Sequence, residues 1–382
     1  MTKYCAVASM AWLGLLATAS CTSTSAQPGN DAAAGAAGEM GVGGAAGAGA
    51  GGAVMIGGPS GLPIPPGPGG VAQPTGTPGN LHVLNWAGFK SAVTYTFDDA
   101  QPSQIEHYAE LQATGAHLTF YITSGNSGDI AGFDTTFTQA VTDGHEMGNH
   151  TVHHCHADLT GCSTGAGATL DSEIDDCSSY IATHFGQPHV WTAASPYGDT
   201  GYDAPDMTRF FLNRGVGSGL VAPMDSTDPF NLPCHAAVDS ETVDSFNTAI
   251  DGGHTTGRWL IFLVHTIMPS TANWYAPIDV SVVAGSIAHA QSLNDVWIDT
   301  MVNVGAYWRG QKAVAAATPS TSSSGTQAST WTWTLPANFP PGKFVRVTVD
   351  GGTVLQNGTT VPWDPHGYYE VALDAGSLTV SP

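Results

Sequence analysis

Between residues 81 and 298 short apolar runs alternate with amphipathic ones, and this alternation constrains the fold more than any other feature of the chain. The strand-like runs lie at 92–97, 118–122, 145–148, 190–194, 217–221, 259–264 and 296–298. Between them come helix-like segments at 103–114, 133–142, 169–185, 207–213, 243–250 and 280–291. Strands that alternate with helices pair in parallel through crossover helices, so this stretch predicts an α/β architecture, as an open sheet or a barrel.

The flanks are of another kind. Residues 1–20 read as an export signal, with Lys3 near the start, an apolar run from 6 to 17 and then small residues; the run is too short to span a bilayer. Ala17-Thr18-Ala19 offers an ordinary cleavage site, while Thr18-Ala19-Ser20-Cys21 offers a bacterial lipobox with Thr in the usual Leu position. The protein is therefore expected to be exported, either as a cell-envelope lipoprotein carrying lipid on Cys21 or as a secreted protein. Residues 21–80 are rich in Gly, Ala and Pro and contain no aromatic residue, which predicts a flexible tether with an end-to-end distance of roughly 40 Å.

Residues 81–314 form the expected catalytic domain, and residues 315–382 a Thr/Ser-rich linker followed by a small antiparallel β-module. In that module Trp331, Trp333 and Trp363 either build the core or stack on sugar rings, and the core is the commoner use of aromatic residues in so small a unit. Once Cys5 leaves with the signal and Cys21 is acylated, Cys155, Cys162, Cys177 and Cys234 remain. In an exported chain they predict two disulfides, in any of three connectivities.

Net charge is −22, with only nine Lys and Arg residues. Such a surface repels phosphate backbones and anionic headgroups, so nucleic acid is excluded as a partner and a membrane contact is expected only through lipid on Cys21. A neutral or cationic partner suits it better, and the protein is expected to be a monomer.

The residues able to do chemistry gather at strand ends. Asp98-Asp99 closes the run 92–97, where side chains of a parallel α/β fold reach the functional face. Adjacent carboxylates alternate in direction, so one can hold a metal while its neighbour accepts a proton; the ordinary alternative is a turn or helix cap before Pro102 and Ser103. His150 and His154, spaced i, i+4, would share a helical face and present two nitrogens to a metal. His145, His153 and His156 crowd the same segment, so spacing alone leaves the ligand pair open. His265 closes the apolar run 259–264, where an imidazole is either a buried structural residue or an active-site one.

Taken together, Thr96-Phe97-Asp98-Asp99, the lead-in Gly144-His145-Glu146-Met147-Gly148-Asn149, His150-Thr151-Val152-His153-His154 and Leu263-Val264-His265 resemble the motifs of the polysaccharide deacetylase family, also called the NodB-homology domain or carbohydrate esterase family four. The resemblance covers roughly residues 92–298. It implies a distorted seven-stranded (β/α) barrel and an exported hydrolase that removes acetyl groups from a polysaccharide, N-linked on amino sugars or O-linked on a xylan-like glycan. By the same resemblance Asp99, His150 and His154 hold one divalent ion, expected to be zinc, and Asp98 is the base. His265 is the acid, the backbone N–H of Tyr197 helps bind the oxyanion, and Pro196 and Leu263 line a pocket for the acetyl methyl group.

Two positions depart from the family pattern. The motif Arg-x-Pro-Tyr-Gly stands here as Ala194-Ser195-Pro196-Tyr197-Gly198, without the arginine that orients the base. The motif Asp-x-x-Asp-Trp is matched loosely by Asp225-Ser226-Thr227-Asp228-Pro229-Phe230, which leaves the aspartate partner of His265 unassigned. These departures motivate an alternative: a catalytically impaired glycan-binding surface lipoprotein on the same fold. A metal-dependent phosphohydrolase could also use Asp-Asp and His-x-x-x-His, but the chain has few cations with which to clamp a phosphate.

Overall fold

The computed structural model describes residues 60–163, 165–272, 274–321 and 328–382. The signal segment, Cys21 and the tether up to residue 59 lie outside the described residues. All described residues belong to one unit, Ala50–Pro382.

Eight parallel strands form its centre: β1 (Ser91–Phe97), β2 (Thr119–Ile122), β3 (Glu146–Asn149), β4 (Thr192–Ala194), β5 (Leu212–Arg214), β6 (His235–Ala236), β7 (Trp259–Val264) and β8 (Val296–Ile298). Seven follow one another in the order β5-β4-β3-β2-β1-β7-β6, and β8 pairs with the first residues of β1. The central strands β1 and β7 are buried along their whole length; β7 accordingly reads as a continuous apolar run, and in β1 the buried Thr94 and Thr96 hydroxyls donate to the Asp299 and Phe262 carbonyls. The sheet curls until its edges meet. Leu232 bridges in parallel to Arg214 on β5, and β6, just beyond it in sequence, pairs with β7. The result is the expected distorted barrel of seven strands, with β8 as an additional one.

Helices α1 (Phe133–Thr142), α2 (Leu170–His184), α3 (Val243–Thr256), α4 (Val280–Ser292) and α5 (Met301–Ala315) accompany the sheet. Their limits are local chemistry. Both α2 and α3 begin with capping boxes, Thr169 with Ser172 and Thr242 with Ser245, and α3 stops at Gly257 in a left-handed conformation. Among the described residues no helix is long and apolar enough to cross a membrane.

One strand differs from the sequence expectation in a way that matters for the site. Residues 217–221 form no strand, only an isolated antiparallel bridge from Val221 to Trp259. The fifth strand is instead Leu212–Arg214, inside a segment whose apolar spacing resembles a helix. The strand pairs in parallel with Thr192–Ala194, and Leu212 enters the large apolar cluster while Asn213 donates to the Ser195 hydroxyl and the Phe230 carbonyl.

The C-terminal module contains β9 (Ser329–Thr332), β10 (Phe344–Thr348), β11 (Thr353–Gln356), β12 (Tyr368–Ala372) and β13 (Ser377–Ser381) in two small antiparallel sheets. Trp331 and Trp333 are buried in its core, and the indole N–H of Trp363 donates to the Val71 carbonyl at 2.8 Å. Residues 60–80, expected to be tether, run along this module. The N–H groups of Gly70 and Val71 donate to the Pro365 carbonyl, and that of Gly76 to the Asp350 carbonyl. The strand pair His82–Val83 adds to β10, and buried Arg346 donates to the carbonyls of Pro63 and Ala87 at 2.7 and 2.8 Å. A Gly- and Pro-rich run cannot build a core of its own, yet its backbone groups can be satisfied by an existing sheet edge.

Candidate active site

The site opens at the C-terminal ends of the barrel strands, in a cavity of about 760 Å³ whose wall includes Asp98, Asp99, His150, His154, Tyr197, Leu263 and His265. Asp98 continues the ladder of β1, its N–H donating to the Val264 carbonyl at 2.9 Å. The chain then turns sharply, with Asp99 and Ala100 at φ 72° and 52°, and this turn sends the two carboxylates in different directions. Thr151, His154 and Tyr197 are also left-handed, at φ 65°, 52° and 57°. Conformations of this kind cost non-glycine residues about 1–3 kcal/mol each, and here three of the five, Asp99, His154 and Tyr197, line one cavity.

His150 and His154 do not share a helical face. Residues 150–156 form no helix. The chain leaves β3 through a turn in which the Asn149 side chain accepts the Thr151 N–H and the Thr151 hydroxyl accepts the His154 N–H. The two rings still converge, with centroids 4.7 Å apart. His150 donates from Nδ1 to the Ala194 carbonyl at 2.7 Å, which directs Nε2 into the site. That Nε2 is buried with no hydrogen-bond partner, 3.4 Å from Asp99 Oδ1, and His154 Nε2 lies 3.5 Å from the same oxygen.

Ligand atoms of Asp99, His150 and His154 all lie within 4.8 Å of one another. One carboxylate and two imidazoles, one of the latter with an orphaned buried nitrogen, fit a divalent ion of the zinc type. Burial disfavours the charged form of Asp99, but the adjacent His150, with His265 and His154 beyond it, outweighs this and holds the carboxyl well below its usual range. Burial, followed by the charge of His150, pushes His154 down to about 4, so its imidazole is neutral and able to ligate at neutral pH.

The crowding histidines are accounted for by other contacts. His145 accepts the Leu118 N–H and meets Gln112, His153 is held by Glu173 at 2.7 Å, and His156 stacks on the Tyr197 ring. Tyr197 donates its hydroxyl to the Gly161 carbonyl at 2.6 Å and turns its ring edge toward His154. Gly161 and His156 sit in the loop closed by the Cys155–Cys162 disulfide, so this crosslink braces the segment that carries a candidate ligand. It is the one disulfide among the described residues. Cys177 and Cys234 are free and buried in different apolar clusters, which is why the expected second bridge does not form.

Leu263 lines the cavity, whereas Pro196 is buried beneath the Tyr197 turn and does not reach the wall. That turn needs Gly198 behind it: at φ 66°, a Cβ there would meet Val216 at 2.3 Å. Neither aspartate of the loosely matched fourth motif reaches His265. Asp225 accepts the N–H groups of Ala222 and Thr227, and Asp228 that of Phe230. His265 Nδ1 is buried without a partner, and the ring instead meets the edge of Tyr275, with centroids 4.8 Å apart. Burial, with Arg214 and His150 adding to it, outweighs the opposing charges of Asp98 and Asp99 and lowers the His265 pKa below its ordinary value.

The residue that sequence reasoning missed is Arg214. Ala194 stands where the family has arginine, and its register partner on β5 is Arg214. The guanidinium is fully buried, lies over the Tyr121 ring and donates from Nη2 to Asp98 Oδ2. The cation has moved one strand sideways while its target is unchanged. Asp98 Oδ1 remains buried without a partner and faces the same cavity. Also missed were the rim residues. Of eight exposed large apolar side chains among the described residues, five line this one cavity: Val216, Val238, Trp274 and Tyr275, which the sequence did not single out, and Tyr197, which it did.

Residues 88–209 match the sequence model of the family described as polysaccharide deacetylase. Over those residues the chain is similar to that family. The match holds Asp98, Asp99, His150, His154 and Tyr197, and it ends before Arg214 and His265. Solved structures similar to this chain include the Xyl-CE4 domain of a multidomain xylanase from the hindgut metagenome of Trinervitermes trinervoides, at 17% identity and TM-score 0.38, covering 56% of this chain and 88% of that one. A polysaccharide deacetylase from Bacillus cereus matches at 18% identity and TM-score 0.37, covering 55% and 91%. A family 4 acetyl xylan esterase from Clostridium thermocellum, in complex with a cobalt ion, matches at 16% and 0.37, covering 56% and 89%. No curated protein sequence matches the chain.

Proposed function

We propose that this protein is an exported, metal-dependent hydrolase that removes acetyl groups from a polysaccharide. The observation that carries the reading is the convergence of Asp99, His150 and His154 around one point, beside an Asp98 whose Oδ2 is held by Arg214 and whose Oδ1 is free. When bound there, a divalent ion supplies Lewis-acid polarisation of a carbonyl and a more acidic water.

The remaining roles belong to the chain. Asp98 Oδ1 accepts the proton of the attacking water, with Oδ2 fixed so that the free oxygen keeps its aim. The backbone N–H of Tyr197 donates to the carbonyl oxygen as charge develops on it, an interaction worth about 3 kcal/mol in comparable sites. His265 moves a proton toward the leaving atom, and Leu263 covers the methyl group. Export rests on residues 1–20, with lipid on Cys21 as the favoured anchor, and the Cys155–Cys162 disulfide suits an oxidising compartment. The glycan-binding alternative was motivated by two departures: Arg214 answers the missing arginine, while the weak fourth motif still leaves His265 without an aspartate partner.

The test is acetate release from acetylated xylan, N-acetylglucosamine oligomers and peptidoglycan, with and without chelator and added zinc or cobalt. Activity that disappears with chelator and returns with metal supports the reading; metal-loaded protein inert on every substrate refutes it. Two further outcomes are expected. His150→Ala or His154→Ala lowers bound metal well below one ion per chain by elemental analysis, and unchanged stoichiometry would move the site elsewhere. Trp274 and Tyr275, 49% and 66% exposed on the rim, offer flat apolar faces to a sugar ring. Trp274→Ala is expected to raise KM about fivefold, equivalent to about 1 kcal/mol, with kcat unchanged. A fall in kcat at constant KM would count against a binding role.

A further inference from the structure

We propose that the site hydrolyses acetyl esters and not acetamides, an inference that rests on the deacetylase reading above. It is carried by the contrast between the two imidazoles that face the cavity from strand ends. The Nδ1 of His150 is fixed by the Ala194 carbonyl, whereas the Nδ1 of His265 is buried and meets no acceptor.

Ester and amide hydrolysis differ in what the leaving atom demands. In both, the water oxygen bonds to the acetyl carbon and one water proton passes to Asp98. In the ester the bond from that carbon to the sugar oxygen then breaks, the oxygen carries the electron pair away and receives one proton, and acetic acid gives its own proton to solvent. The sugar alkoxide is a competent leaving group, so partial proton donation from a nearby acid suffices. In the amide the nitrogen must hold an additional proton before its bond to carbon breaks, because an amide anion does not depart in water; without that proton the adduct reverts by expelling the oxygen that attacked. With His265 as the proton donor, amide cleavage therefore needs a well-formed imidazolium at the leaving atom.

An imidazolium has two N–H donors, and both must be satisfied when it is buried. Sites that rely on one give its second nitrogen an acceptor, which fixes the tautomer and steadies the cation. Here Asp225 and Asp228 spend their carboxylates on backbone N–H groups, and the neighbour of the His265 ring is the Tyr275 ring edge. Among the described residues nothing hydrogen-bonds Nδ1, so protonated His265 would bury an unmet donor. The barrel supplies a base and a metal-ligand triad, but only a weak proton donor. That combination suits an alkoxide leaving group.

The experiment compares zinc-loaded full-length protein on matched pairs: phenyl acetate against acetanilide, and acetylated xylo-oligosaccharide against N-acetylglucosamine oligomers. We expect kcat/KM for each ester to exceed that for its amide by more than about 10³-fold, within the range that a positioned acid contributes. Rates on substituted phenyl acetates should rise steeply with the acidity of the departing phenol, and His265→Ala should cost phenyl acetate less than about tenfold. Nitrogen NMR of the same protein should show His265 neutral at pH 7 without one fixed tautomer. Amide turnover within tenfold of ester turnover, or a single His265 tautomer with Nδ1–H hydrogen-bonded, overturns the proposal while leaving the deacetylase reading intact. Release of acetate from neither class by metal-loaded protein overturns both.

Discussion

Asp98→Asn is expected to abolish acetate release, by at least about 10³-fold, while one metal ion per chain stays bound. The substitution keeps the size of the side chain and leaves Asp99, His150 and His154, which make up the candidate ligand set, unaltered. What it removes is the one oxygen that is buried, unpartnered and on the cavity wall, Asp98 Oδ1. An amide there has no proton affinity to offer the attacking water, and no other carboxylate is free to replace it: among the described residues the other acidic side chain on the wall is Asp99, which belongs to the candidate ligand set. Folding should suffer as well, because buried Arg214 loses its counter-charge. The comparison is therefore made on protein whose thermal unfolding remains cooperative, with metal measured by elemental analysis and acetate by direct assay. A variant that keeps both metal and activity removes Asp98 from the mechanism.

Much of this site was legible in the sequence for a chemical reason. Metal ligation and proton transfer tolerate few residue types, so Asp98-Asp99, His150, His154 and His265 stand out wherever the chain places them at strand ends. What spacing could not supply was the path between them. The i, i+4 interval of His150 and His154 suggested a helix, yet the two imidazoles are brought together by a turn with two left-handed residues, Thr151 and His154. Only tertiary contacts set such a turn, here the backbone bonds from Gly125 to Val152 and from Val152 to Glu173. The cysteines show the same limit, since burial in separate clusters, not number, decides that Cys177 and Cys234 stay reduced. Residues 60–80 were illegible because their Gly and Pro content signals freedom whether or not a sheet edge waits to bind them.

Arg214 is the sharpest case, and it yields the second large expected effect. Its strand was hidden inside a helix-like spacing, and its partner Ala194 is identifiable only through the register of β4 on β5. Arg214→Ala should destabilise the fold by about 3–5 kcal/mol, because it leaves the Asp98 carboxylate buried without its cation, and should lower kcat by two orders of magnitude or more. Loss of stability alone would not identify a positioning role, so the informative variant is the exchange. Ala194→Arg combined with Arg214→Ala returns the guanidinium to the strand where the family keeps it, across one inter-strand spacing of about 4.8 Å from its present backbone position. If Arg214 acts by holding Asp98 Oδ2, the exchange should recover at least tenfold of the lost kcat with KM unaffected, whereas Arg214→Lys, which has a point charge in place of a planar fork, should recover less. If Arg214 merely fills space beside Tyr121, the exchange recovers stability or nothing, and kcat stays at the level of Arg214→Ala.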